Sequence, residues 1–196
     1  ISCSKSNNDY ISLKNINSKI IPEETVHDVV LINQNDTYSC ATTSLAMILS
    51  EYRGLHNNPF NKEDIWKASG SSISTIKTLG NDLEGLYKVC DKYGVRYEFI
   101  QHLKNEEVEY LLSKHIFMVV FVSINENRTH AFILTGYDRN KRVFYANNTN
   151  GEKMEIPYDD FDKHWNAMLG RPRVLSERGA LVVFSNNVQL KNGKLR

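Results

Sequence analysis

Between Ile116 and Ile156 the chain abandons helical spacing for short apolar runs separated by turns, and this limits the fold more than any other feature. The run IFMVVFV (Ile116 to Val122) falls far short of the roughly 20 apolar residues that a membrane helix needs. It has the length of a buried strand. Phe117 to Ser123, Ala131 to Tyr137, Arg142 to Ala146 and Lys153 to Ile156 read as consecutive strands, joined by the turn-rich links NENRT, DRNK and NNTNG. Links this short make neighbours antiparallel. Upstream the period is helical. Cys40 to Arg53 carries Leu45, Ile48, Leu49 and Tyr52 at i, i+3, i+4 and i+7, with Ser39 as N-cap and Gly54 as stop. NKEDIWKASG is a short helix capped by Asn61. Asn81 to Tyr93 repeats the pattern with Leu83, Leu86, Tyr87 and Cys90, and Asn105 to Lys114 is a further helix after the strand VRYEFI. Thr25 to Ile32 is a short β-rich segment, Asp159 to Leu169 an amphipathic helix bearing Phe161 and Trp165, and ALVVFS a buried closing strand. Helices first and a meander afterwards is an α+β order.

The 196 residues suit a single domain with short extensions. The expected division is a flexible tether over 1–20, a domain over 21–186 and a tail over 187–196. A net charge of +1 with dispersed basic residues leaves no footprint for nucleic acid. The three cysteines are too few for a disulfide framework, and none has CxxC or Cys/His zinc spacing. No metal or organic cofactor is implied. Cys90 lies on the apolar stripe of its helix and reads as a small buried hydrophobe. Trp66 and Trp165 read as core.

Chemistry concentrates in QNDTYSCATTSLAMIL. Cys40 would be the first helical residue, where the macrodipole and unpaired backbone N–H groups favour a thiolate. A nucleophilic thiol needs a base from elsewhere in the chain. Of the six histidines, five sit in turns, helices or strand-like segments that suit surface or capping roles. His130 differs, because it opens the strand HAFILTGYD directly after a polar turn. Gln34 lies six residues before Cys40. Its amide and the Cys40 N–H form a candidate pair of donors to a developing oxyanion. Asn147, seventeen residues after His130, ends the next strand and is the candidate to hold the imidazole in one tautomer.

Together these blocks resemble the papain-like cysteine peptidases of the bacteriocin-processing, double-glycine leader type and their stand-alone relatives. That family has Q-x5-C-G-P-x-[SA]-L-x-M-[IL], then H-[FWY]-V-[VI]-L-x-G-[YF], then a strand ending in D-P-x-x-G. QNDTYSCATTSLAMIL, HAFILTGYD and NNTNG fall on the three blocks, and the likeness runs from about Ile21 to Ser185. The resemblance implies a papain-like α+β fold and a peptide or protein substrate. It assigns Gln34 as oxyanion donor, Cys40 as nucleophile, His130 as base and Asn147 as orienting residue. Ala41 and Thr42 replace the Gly-Pro after the cysteine, Asn147 stands for Asp, and Asn148 for Pro; Asp138 and Asp159 are the next candidates for the third role.

The expected activity is thiol-dependent hydrolysis of a peptide bond. An acyl- or aminoacyltransferase would use the same acyl-enzyme, and a peptide-binding envelope module with a decayed site is the non-enzymatic alternative. At the N-terminus, Cys3 follows Ile-Ser and precedes a Ser/Asn/Lys-rich run, which resembles the end of a bacterial lipoprotein signal. That resemblance implies a lipidated Cys3 and a place in the cell envelope or outside the cell.

Overall fold

The computed structural model describes residues 9–14, 16–72, 74–75, 77, 82–125, 128–170, 173–185 and 188–190. Cys3 and much of the expected tether and tail lie outside them. In chain order the elements are β1 (Asp9–Ile11), a 3-10 turn (Ser18–Ile20), β2 (Glu24–Val26), α1 (Cys40–Tyr52), α2 (Lys62–Ala68) and α3 (Leu83–Tyr93). There follow β3 (Arg96–Ile100), α4 (Asn105–Ser113), β4 (Phe117–Asn125), β5 (Arg128–Asp138), β6 (Val143–Asn147) and β7 (Lys153–Pro157). The chain closes with α5 (Tyr158–His164), β8 (Asn166–Leu169), β9 (Val174–Glu177), β10 (Ala180–Phe184) and β11 (Val188–Leu190). The expected α+β order holds, and β4 to β7 form the expected antiparallel meander.

The main sheet runs β3-β10-β4-β5-β6-β7, with β2 paired to the far end of β5. The closing strand β10 is wholly buried and inserts between β3 and β4. Helix α1 packs across β4 and β5 and is covered by α2 and α3. The i, i+3, i+4 pattern predicts one apolar stripe on α1, but every residue from Ala41 to Ser50 is buried. Its polar positions survive burial mostly by bonding back to the chain. Thr42 donates to the Ser39 carbonyl (3.0 Å), and Ser50 donates to the Ala46 carbonyl (2.7 Å) while accepting from the Phe60 N–H (2.9 Å). A helix apolar or self-satisfied all round belongs inside the protein.

Asp159 to Leu169 does not form one helix. α5 stops at His164, and Asn166–Leu169 instead pairs antiparallel with Val174–Glu177. Trp165 causes the break. Its ring stacks on Phe161 at 4.6 Å, its Nε1–H donates to the Gly179 carbonyl at 2.9 Å, and the Arg178 guanidinium lies over its face. These contacts hold the backbone out of the helical path, and the residues beyond it pair as a hairpin. Three residues of the expected tether and three of the tail also pair, as the parallel strands β1 and β11.

Gly136 lies at a register shift in β5, where β6 leaves its regular pairing. β2 crosses so close there that a Cβ on Gly136 would collide with the Thr25 carbonyl oxygen and with Val26. Gly136→Ala should push β2 off the sheet and cost about 1–3 kcal/mol, the usual range for an overpacked site. Thermal melts of the two proteins check it. An unchanged Tm would mean that β2 can shift without loss.

Candidate active site

The segment before α1 is held by one carboxylate. Asp36 accepts from the backbone N–H of Tyr38 (2.9 Å) and Ser39 (2.8 Å), from the Ser39 hydroxyl (2.7 Å) and from Lys62 on α2 (2.7 Å). Burial opposes this charge, but the hydrogen bonds from Lys62 and Ser39 outweigh it and hold the Asp36 pKa below the usual carboxylate range. Ser39 occupies the N-cap position as expected, yet its side chain serves Asp36 and makes no capping bond to α1. The expected oxyanion residue, Gln34, is nearly buried. It donates its amide to the Asp36 carbonyl and accepts from the Thr149 hydroxyl at 2.5 Å, while its backbone N–H meets the Thr149 carbonyl at 2.7 Å. An amide nitrogen carries two hydrogens, so one remains for a ligand.

Cys40 is the first residue of α1, as the sequence predicts. Its sulfur receives a hydrogen bond from the backbone of Ala131 on β5, the residue next to His130. His130 is not the first residue of its strand. β5 begins at Arg128, and His130 pairs with Val122 of β4. Its Nε2 lies 2.7 Å from the amide oxygen of Asn148. That oxygen only accepts, so Nε2 carries the proton and Nδ1 keeps a lone pair.

Asn147 is somewhere else. It is 1% exposed, and its amide nitrogen donates to the carbonyls of Val29 (2.9 Å) and Val30 (3.4 Å). The reason is strand parity. Asn147 pairs directly with Ile133, so its side chain shares the Ile133 face of the sheet, and His130, three residues along, projects from the other. The ring contact falls to the following residue. Gln34, His130 and Cys40, singled out by sequence spacing, are linked through Thr149, Asn148 and Ala131, whereas nothing in that spacing singled out Asn148, Asp36 or Thr149. The alternation of β6 held the signal for Asn148. Asp36 and Thr149 read as ordinary turn residues. The fallback candidates are remote from the ring: Asp138 binds Lys141 at the opposite end of β5, and Asp159 binds Arg142 on the surface.

Residues 26–172 match the profile of the Peptidase C39-like family. The chain belongs to that family. A double glycine motif protease from an AMS/PCAT transporter, solved with its leader peptide, superposes with a TM-score of 0.56 at 19% identity, over 81% of this chain and 92% of the other. A C39-like peptidase from Bacillus anthracis gives 0.61 at 16% identity over 83% and 98%. The peptidase domain of Streptococcus ComA gives 0.55 at 15% over 80% and 96%. At these identities the likeness is one of fold, which is papain-like. A comparison with curated protein sequences gave no match.

In this Peptidase C39-like chain the thiol's surroundings differ from those its place on the helix predicts. Burial is the largest influence on Cys40 and pushes its pKa up; backbone hydrogen bonds from Ala131, Ala41 and Cys40 itself pull down without prevailing, and the Asp36 charge adds to the rise. Burial likewise lowers His130, the Asn148 contact opposes this, and Arg128 lowers it further. Both shifts favour a neutral thiol and a neutral imidazole. Desolvation has overridden the helix start. Cys90 is buried as expected, with its pKa pushed up to about 12, chiefly by burial.

The two neighbouring asparagines should separate cleanly on substitution. Asn147→Ala strips the buried Val29 carbonyl and the part-buried Val30 carbonyl of a donor and should cost about 1–3 kcal/mol of stability. Asn148→Ala should leave stability nearly unchanged and slow reaction at Cys40. Urea unfolding and the rate of Cys40 acylation, measured on both variants, check this. A slowed Asn148→Ala that is also equally destabilised would remove the distinction.

Proposed function

We propose that this chain is a cysteine peptidase in which Cys40 attacks the carbonyl of a peptide bond. His130 Nδ1 takes the thiol proton as the C–S bond forms, and the imidazolium then protonates the leaving amine. Asn148 holds the ring through Nε2, in the role expected of Asn147. The free N–H of Gln34 and the backbone N–H of Cys40 stabilise the oxyanion. Water then enters, gives a proton to His130 and releases the acid. The observation that carries this reading is the Nε2–Asn148 contact at 2.7 Å, on a histidine next to the residue whose backbone meets the Cys40 sulfur. A peptide as substrate is supported by the leader peptide bound to the structurally similar transporter protease. The double-glycine motif of that protease is not carried over.

A peptide chloromethyl ketone tests the proposal. Mass spectrometry should find the adduct on Cys40 ahead of Cys90, and His130→Ala should slow its formation. Because burial lowers the His130 pKa from its usual 6.5, the base stays neutral to lower pH than a free histidine. The acid limb of the labelling rate should therefore fall below pH 6.5. Equal labelling of Cys90, or no response to His130→Ala, would overturn the reading.

Gln34 has a separate test. With a cleavable peptide in hand, Gln34→Ala should lower kcat by about 10²–10³ while Cys40 stays alkylatable, the usual cost of losing one oxyanion donor. Unchanged turnover would reduce Gln34 to a loop anchor for Thr149.

A further inference from the structure

Two histidines outside the proposed peptidase machinery face one another. His27 follows β2, and its Nε2 lies 2.8 Å from the Leu112 carbonyl at the end of α4. A carbonyl only accepts, so this nitrogen carries the proton and His27 Nδ1 has a lone pair. His115 follows the C-cap of α4, and its Nε2 lies 3.2 Å from a carboxylate oxygen of Glu51 at the end of α1. By the same count its Nε2 is the donor, and in the neutral ring its Nδ1 also has a lone pair. The two Nδ1 atoms are 3.2 Å apart. In two neutral rings with these outer bonds, lone pair would meet lone pair.

We infer that His27 and His115 form a binding site for one divalent transition ion of the zinc type, held by both Nδ1 atoms and completed by water. Nitrogens at the usual Zn–N distance of about 2.0–2.1 Å and this separation subtend roughly 100° at the ion, close to a tetrahedral angle. The ring centroids are 4.7 Å apart with planes at 80°, closer than an end-to-end N–H···N pair would set them. The remote nitrogens meet a backbone carbonyl and a carboxylate, which are the outer partners that fix metal-binding imidazoles. Phe117 packs edge-on against both rings, at 5.2 and 4.8 Å.

The backbone supplies an independent observation. His115 has φ +58°, at a post-helix position where glycine is the usual residue. The strain of a side chain held there persists only where the surroundings over-determine it. Half of the His115 side chain is exposed, which leaves room for bound water. Among the described residues no cluster of three or more ligating side chains has metal-holding geometry, so an ion here would take two ligands from the protein and the rest from water. His56 stands 3.6 Å from the other Glu51 oxygen and belongs to the outer surroundings. Such a site would join three places distant in sequence: the end of α1, the end of α4 and the strand that leads to the Gln34 loop.

The test uses the full chain with Cys40→Ala, which removes a competing thiol. Zn²⁺ titrated at pH 7.5 should bind in a 1:1 ratio with saturable heat, and His27→Gln or His115→Gln should each weaken binding by about tenfold or more. Long-range ¹H–¹⁵N spectra of the same Cys40→Ala chain give a reading that needs no histidine variant. On Zn²⁺ addition the Nδ1 resonances of both histidines should shift while both Nε2–H groups stay protonated. Absence of saturable binding overturns the site, as does undiminished binding in either histidine variant. Binding that vanishes in Glu51→Gln but survives in both histidine variants would place the ion on the Glu51–His56 pair instead.

Discussion

Keeping water from the whole of α1 between Ala41 and Ser50 is the constraint on which the rest of the structure depends. A helix with a single apolar face needs one partner. One buried all round needs a sheet beneath and helices above, which β4, β5, α2 and α3 supply. Side chains that would otherwise demand water turn onto nearby backbone instead. The enclosure opens at Glu51 and Tyr52 and again at the helix start, where Asp36 ties the incoming loop to α2 through Lys62. The thiol sits at that opening, partly exposed as a residue while its sulfur lies against β5.

That placement decides the acid–base character of the proposed reaction. A helix start offers an exposed anion about 0.3–1 kcal/mol. Burial of an ionised group costs more, and it acts on both members of the pair, raising the thiol and lowering the imidazole. Both directions favour a neutral resting pair, so in the proposed reaction charge separates only as the substrate reacts. Oriented N–H groups then meet the charge where it develops, which is where they contribute most.

The sequence carried most of the architecture because its strongest patterns were local. Turn chemistry between β4 and β7 and the glycine that stops α1 needed no tertiary information; Gly54 indeed adopts φ +65°. What the sequence hid was decided by contacts between distant segments. Asn166–Leu169 has a pattern compatible with either period, and Trp165 settled it by packing on Phe161 and reaching Gly179. Asn147 and Asn148 are chemically identical. Only the register of β6 on β5 tells which one faces His130, and that register includes an irregularity between Leu134 and Gly136. Burial opposes the thiolate expected at Cys40 for a related reason: a helix start is visible in sequence, whereas the sheet that desolvates it is not.

The turn after β6 has a consequence of its own. Asn148 grips the imidazole and Thr149, its neighbour, grips Gln34, so the proposed base and the proposed oxyanion donor hang from one peptide unit. They cannot be tuned separately. A shift of this turn by a single residue would displace the partners of His130 and Gln34 together, so under the proposed mechanism length changes here should meet an all-or-none response. The two bonds between Gln34 and Thr149 then act as a shared lever, and under the proposed mechanism the loop's length matters more than its composition.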